Sequence, residues 1–250
     1  MTPALFVEYR KVASSVVVRS ATALLVLGIV GISASLSLAI ARGDEQARAK
    51  LGPLADKQGW DQLTGMTAMI SAPAALLGFG TVLSWMIGRE FADGTICGLF
   101  ALPVSRRALA TAKLIVFGCW TAAVAVIVAV SCAALGLALG YGLPQDADIA
   151  GLVRLLAVGL LTGLLAAPAG WAATLGRGLL PGIATTVVMI ALGQILVAAG
   201  VGAWFPVAAP ALWAVFPDDV SELQLTLVPI TALVVAAMTA RAWQQLQLDK

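Results

Sequence analysis

The side chains that could do chemistry define the problem by which of them are missing. The 250 residues include no histidine and three cysteines, Cys97, Cys119 and Cys132. No two of these stand in a CxxC spacing, so the sequence carries neither a zinc site nor a disulfide framework. A helical zinc protease needs H-E-x-x-H, which is impossible here. Ser71, Ser84 and Ser131 lie in apolar runs without a base at a readable position. Hydroxyls in such runs bond to their own helix backbone. No GxxxxGK[ST] run occurs, so no phosphate-cradling loop is encoded. These absences argue against catalysis, metal binding and nucleotide hydrolysis, and nothing in the sequence points to nucleic acid.

Charged residues make up 11% of the chain, hydrophobic ones 60%, and the mean hydropathy is +0.97. A soluble domain needs roughly 25% charged residues to keep its surface hydrated. This chain cannot cover itself that way, so lipid must be its outer solvent. The expected fold class is therefore all-α integral membrane, because a spanning segment satisfies its backbone as helix. Residues 20–41, 63–88, 114–139, 155–175, 181–202 and 225–240 are the expected spans, each near the roughly 20 residues a crossing takes. Pro73 and Pro168 are expected to kink two of them. The pairs Gly136/Gly140 and Gly159/Gly163 fit small-residue packing within the bundle.

Basic residues set the orientation. With the N-terminus in the cytoplasm, the inner segments hold Arg10, Lys11, Arg19, Arg89, Arg106, Arg107, Lys113, Arg177, Arg241 and Lys250. The outer ones hold Arg42, Arg48, Lys50, Lys57 and Arg154, with Asp146, Asp148, Asp218, Asp219 and Glu222 also outside. Both termini are expected inside. Residues 1–19 read as an interfacial helix, with Leu5, Tyr9, Val12 and Val16 on an apolar face and Glu8, Lys11, Ser15 and Arg19 on a polar one. No charge occurs between Arg177 and Asp218, and Pro206, Pro210 and Pro217 interrupt that run. Residues 203–224 therefore read as an outer re-entrant segment, with Trp204, Phe205, Trp213 and Phe216 suited to the membrane–water interface.

The inner loop 89–113 is the most informative segment. Asp93-Gly94 signals a turn, Thr95 is placed to cap a short helix reaching Leu102, and Pro103 ends it. Ser105 then caps a new helix carrying Arg106, Arg107 and Lys113. Phe91, Ile96, Leu99, Phe100 and Leu102 are apolar side chains on an inner loop and must be covered, by the lipid interface or by a partner's groove.

In the order R-E-F-x-x-G-T-x-x-x-L-x-x-x-P-x-S-R this loop, through Arg89, Glu90, Phe91, Gly94, Thr95, Leu99, Pro103, Ser105 and Arg106, with Lys113 following, resembles that of ABC-2-type transporter permeases. The layout of the whole chain is similar too. The resemblance implies that 89–113 is a coupling loop docking on a separately encoded ABC ATPase. Two ATPase copies would work with two permeases, the second a copy of this chain or a homologue. ATP and magnesium would be bound by the partner, and this chain would carry no cofactor. It further implies a multi-pass protein of the bacterial inner membrane, with a translocation path lined by spans one, two and five from two copies. Ser37, Ser84 and Gln194 are the candidate lining residues. The Cys97-Gly98 pair departs from a good helix, at about 1 kcal/mol for the glycine.

The residues themselves point the same way. The span centres hold no ionisable group to take up a coupling proton, although sodium could be held by backbone carbonyls. A bundle with no energy source of its own needs work from a partner. An apolar interior favours an amphipathic or hydrophobic cargo, such as a drug or lipid. An ion-coupled transporter, a channel or a small membrane scaffold are the alternative readings.

Overall fold

The computed structural model describes residues 2–101 and 103–247, and among them every regular element is helical. In chain order these are α1 (Thr2–Ser14), α2 (Val16–Ala41), α3 (Glu45–Leu51), α4 (Gly59–Ala92), α5 (Ile96–Phe100) and α6 (Arg106–Ala138). Then follow α7 (Asp146–Leu165), α8 (Ala167–Leu175), α9 (Leu179–Ala198), α10 (Ala209–Val215) and α11 (Glu222–Gln245). Six helical runs are long and apolar enough to cross a membrane: α2, α4, α6, α7 with α8, α9 and α11.

The helices run past the charge-free stretches, because a helix needs apolar side chains only where it meets hydrocarbon. α4 spans 34 residues and α6 spans 33. At 1.5 Å per residue each is about 50 Å long, well beyond a hydrocarbon core of about 30 Å. α4 continues through Pro73 without interruption. The fourth crossing does break at Ala166, just before Pro168. α9 stops earlier than the apolar run suggests. Gly200 takes φ +84, and the N–H groups of Gly200 and Val201 turn back onto Val197 and Leu196. That left-handed cap satisfies the last carbonyls. α3, in the first long loop, has no counterpart in the sequence reading. Asp44 caps it by accepting from the N–H groups of Gln46 and Ala47.

α4 is the central post and packs against α2, α6, α7, α8, α9 and α10. Between helices already in lipid there is no water-driven attraction, so close backbone approach and polar pairs carry the packing. Accordingly, a Cβ on Gly88 would stand 2.5 Å from the Leu179 nitrogen, and one on Gly80 would collide with Thr186. Gly159 and Gly163 pack onto Ala125 and Thr121 of α6, inside the bundle. A buried chain runs from Cys132 to Thr67 (3.6 Å) and from Thr67 to Ser33 (3.1 Å), tying α6, α4 and α2.

Both ends of the described chain lie at the same end of the bundle as the loop between α4 and α6. Lys11 of α1 reaches Glu90, and Arg106 donates to the Leu246 carbonyl. That arrangement agrees with an even number of crossings.

Candidate functional site

The loop begins where α4 ends. Asp93 caps that helix and Gly94 follows at φ +66, a backbone region that glycine enters without strain. α5 is one and a half turns long. The sequence expectation for Thr95 needs correcting here. Its side chain makes no cap bond to α5; its hydroxyl instead donates to the Glu90 carboxylate. α5 also ends at Phe100, capped at Ala101. Leu102, expected within it, lies outside the described residues, as does Lys250. Ser105 caps α6 as expected, accepting from the Ala108 N–H at 3.2 Å.

Beneath the loop sits a quartet of charges, three of them buried. Lys113 on α6 places its ammonium 2.7 Å from Glu90 of α4 and 2.9 Å from Glu8 of α1. It also donates to the Met86 carbonyl at 3.3 Å. Lys11 bridges the same two carboxylates, at 2.9 Å from Glu90 and 3.1 Å from Glu8. Glu90 and Lys113 are each 1% exposed and Glu8 is 3% exposed. Two acids face two bases, so the group is neutral as a whole, which lets it persist away from water. Burial alone would lower the Lys11 pKa, but the carboxylates of Glu90 and Glu8 outweigh it and hold the group above the ordinary lysine value.

The quartet reverses two expectations. Glu90, placed by sequence at a docking surface, is sealed inside and fixes the loop from within. On α1 the inward stripe is Ala4, Glu8 and Val12, so Glu8, read from sequence as part of a polar face, is buried. Glu8 faces in because Lys113 is there to neutralise it.

The apolar side chains of the loop are covered largely by the chain itself. Ile96 is buried, and Phe91, Leu99 and Phe100 are half-buried against the core. Phe100 meets Trp243 of α11 edge-on at 6.2 Å, and the Arg106 guanidinium lies 4.1 Å above its ring. Arg89 stacks over Trp85 at 4.7 Å. What α5 leaves bare is a face of small residues, Cys97, Gly98 and Ala101, continued by exposed Asp93, Gly94 and Pro103.

The three candidate path residues do not converge. Ser37 is buried on α2. Ser84 donates to the Gly80 carbonyl at 2.6 Å and packs against Gly182 of α9, so it faces a sealed helix contact. Gln194 is exposed, and with Thr162, Ile190 and Phe216 it lines a cleft of about 140 Å³ beneath α10. Among the described residues no cluster of His, Cys, Asp or Glu could hold a metal ion.

No curated protein matches the chain in sequence. Residues 17–193 match the family described as ABC-2 family transporter protein. The match runs from the start of α2 into α9 and so takes in five of the six long apolar runs and the whole loop, well over half of the chain. With a family match over well over half of its length and six apolar helical runs among its described residues, the chain belongs to the ABC-2-type permease family.

Proposed function

We propose that this chain is the membrane-embedded subunit of an ATP-driven exporter, with the loop-bearing end of the bundle in the cytoplasm and α5 as the element that receives work from a separate ATPase subunit. The observation that carries this is the mounting of α5. Its inner side is held by Ile96, by Phe100 against Trp243 and by Thr95 on Glu90. Its outer side is bare. Through Glu90 and Lys113 the same mounting reaches α4, α6 and α1. A displacement of α5 is therefore passed to three helices at once. Two copies of the chain, or this chain and a homologous one, would work with two ATPase copies that bind ATP and magnesium. The protein would sit in the bacterial inner membrane. The apolar cleft beside Gln194 suits an amphipathic or hydrophobic cargo, and α10 would be the outer re-entrant element.

Gly98 sharpens the reading. A Cβ there would meet nothing within 4 Å, so packing inside the chain does not require glycine. In a helix interior glycine costs about 1 kcal/mol relative to alanine. A face kept flat at that cost suits a surface that another backbone must approach closely. Gly98→Ala is expected to raise the stability of the isolated chain by about 0.5–1 kcal/mol. Gly98→Trp is expected to leave the chain folded while reducing the amount of ATPase that co-purifies by about tenfold or more. If the tagged chain purifies without an ATPase and transports alone, the exporter reading is wrong.

A further inference from the structure

A second feature at the same end of the bundle lies outside the coupling loop. The chain bends at Ser15, where α1 passes into α2, and a groove of about 650 Å³ is lined by this elbow and by α6. Val26 and Leu27 of α2 and Val116 and Ile127 of α6 form its walls. Trp120 lies along it, its indole N–H donating to Thr22 at 2.9 Å, while the Thr22 hydroxyl donates to the Val18 carbonyl at 2.8 Å. The polar groups along the walls are thus satisfied internally, and the surface they leave is hydrocarbon. Leu27 and Ile127 are exposed, so the groove opens outward, toward lipid.

One end differs. Arg19, in the first turn of α2, lines the groove with Tyr9 of α1. Two of its five guanidinium N–H groups are engaged, donating to the Ser15 and Ser14 carbonyls at 3.4 and 3.2 Å. Among the described residues no carboxylate lies within ion-pair distance of it. From Arg19 to Leu27 the groove follows eight residues of helix, about 12 Å. A single cation at the water-facing end of an apolar trough matches a molecule with one anionic head and a long apolar tail. Such molecules are the solvent of this surface, and those of the cytoplasmic leaflet carry the negative charge.

We propose that the elbow between α1 and α2 is a binding site for one anionic phospholipid of the inner leaflet, its phosphate on Arg19 and an acyl chain between α2 and α6. The site rests on the orientation given under Proposed function and not on the ATPase. The lipid would wedge α1 against α6 next to the Glu8–Lys113 contact and so brace the support of the coupling loop.

The test is native mass spectrometry of the detergent-purified full chain, titrated with dioleoyl phosphatidylglycerol or dioleoyl phosphatidylcholine. The wild type is expected to retain one phosphatidylglycerol per chain in preference to phosphatidylcholine. Arg19→Gln is expected to lower that preference about fivefold, equivalent to about 1 kcal/mol, and Arg19→Lys to keep most of it. Ala123→Phe, at an exposed position on the groove, is expected to abolish retention of both lipids with an unchanged melting temperature. Equal retention of the two lipids by the wild type overturns the proposal, as does undiminished retention in Ala123→Phe. A groove occupied by a second copy also overturns it, and would show as a wild-type dimer that binds no lipid and that Ala123→Phe dissociates.

Discussion

Replacing Lys113 with leucine is expected to destabilise the chain by about 3–5 kcal/mol. Lys113 is the ammonium that both buried carboxylates share, at 2.7 and 2.9 Å. Without it, Glu8 and Glu90 remain together with only Lys11, whose side chain is 27% exposed. The penalty comes from that uncompensated carboxylate, not from loss of a favourable pair, because a buried ion pair gains little net energy over well-packed apolar groups. This gives a companion prediction. The quadruple variant Glu8→Leu, Lys11→Met, Glu90→Met, Lys113→Met, which leaves no charge of the quartet unpaired, is expected to recover most of the lost stability. It is also expected to lose coupling, since nothing then ties α5 through Glu90 to α1 and α6. Thermal unfolding in detergent measures the first quantity, and ATPase stimulation in the assembled complex the second. A quadruple variant as unstable as Lys113→Leu would show that the charges are not the cause.

Trp243→Ala carries the second large effect. Trp243 is 0% exposed, donates its indole N–H to Thr174 at 3.1 Å, and meets Phe100 edge-on. Truncating a buried aromatic to alanine costs about 3–5 kcal/mol, much of it from the cavity left behind. Here the cavity lies directly behind α5. The substitution should therefore loosen the loop as well as the bundle, and Cys97, the exposed thiol on α5, reports on it. Alkylation of Cys97 in a Cys119→Ser background is expected to be faster in Trp243→Ala than with Trp243 in place, and an unchanged rate would show that the loop stays fixed. Trp243→Phe keeps most of the packing and loses the one hydrogen bond, at about 1 kcal/mol. Thr174 still donates to the Gly170 carbonyl at 2.9 Å in that variant.

Charge-free apolar stretches of spanning length made the six long helices legible, because a segment crossing lipid on its own satisfies its backbone as helix. The loop was legible too, since Gly94, Pro103 and Ser105 punctuate it. What composition could not show was which charges point inward. Glu8 read as part of a polar face, yet it falls four residues after Ala4 and four before Val12, on the inward stripe. Its burial depends on Lys113, which is 105 residues away in sequence. Thr95 read as a helix cap because local chemistry favours that use, but the Glu90 carboxylate five residues back competes for its hydroxyl and wins. Ser84 read as a path residue because it is polar in an apolar run. Its bond to Gly80 within the same helix satisfies it without any cargo.

The central claim is that the bare face of α5 is where the ATPase docks, and Cys97 offers a native handle on it. A photo-crosslinker attached to Cys97 in the Cys119→Ser chain, activated in native membranes, should capture an ABC ATPase subunit, with a yield that changes when nucleotide is added. The same crosslinker at Leu143, 82% exposed in the loop between α6 and α7, should capture none. Capture of the ATPase from Leu143 and not from Cys97 would contradict the account.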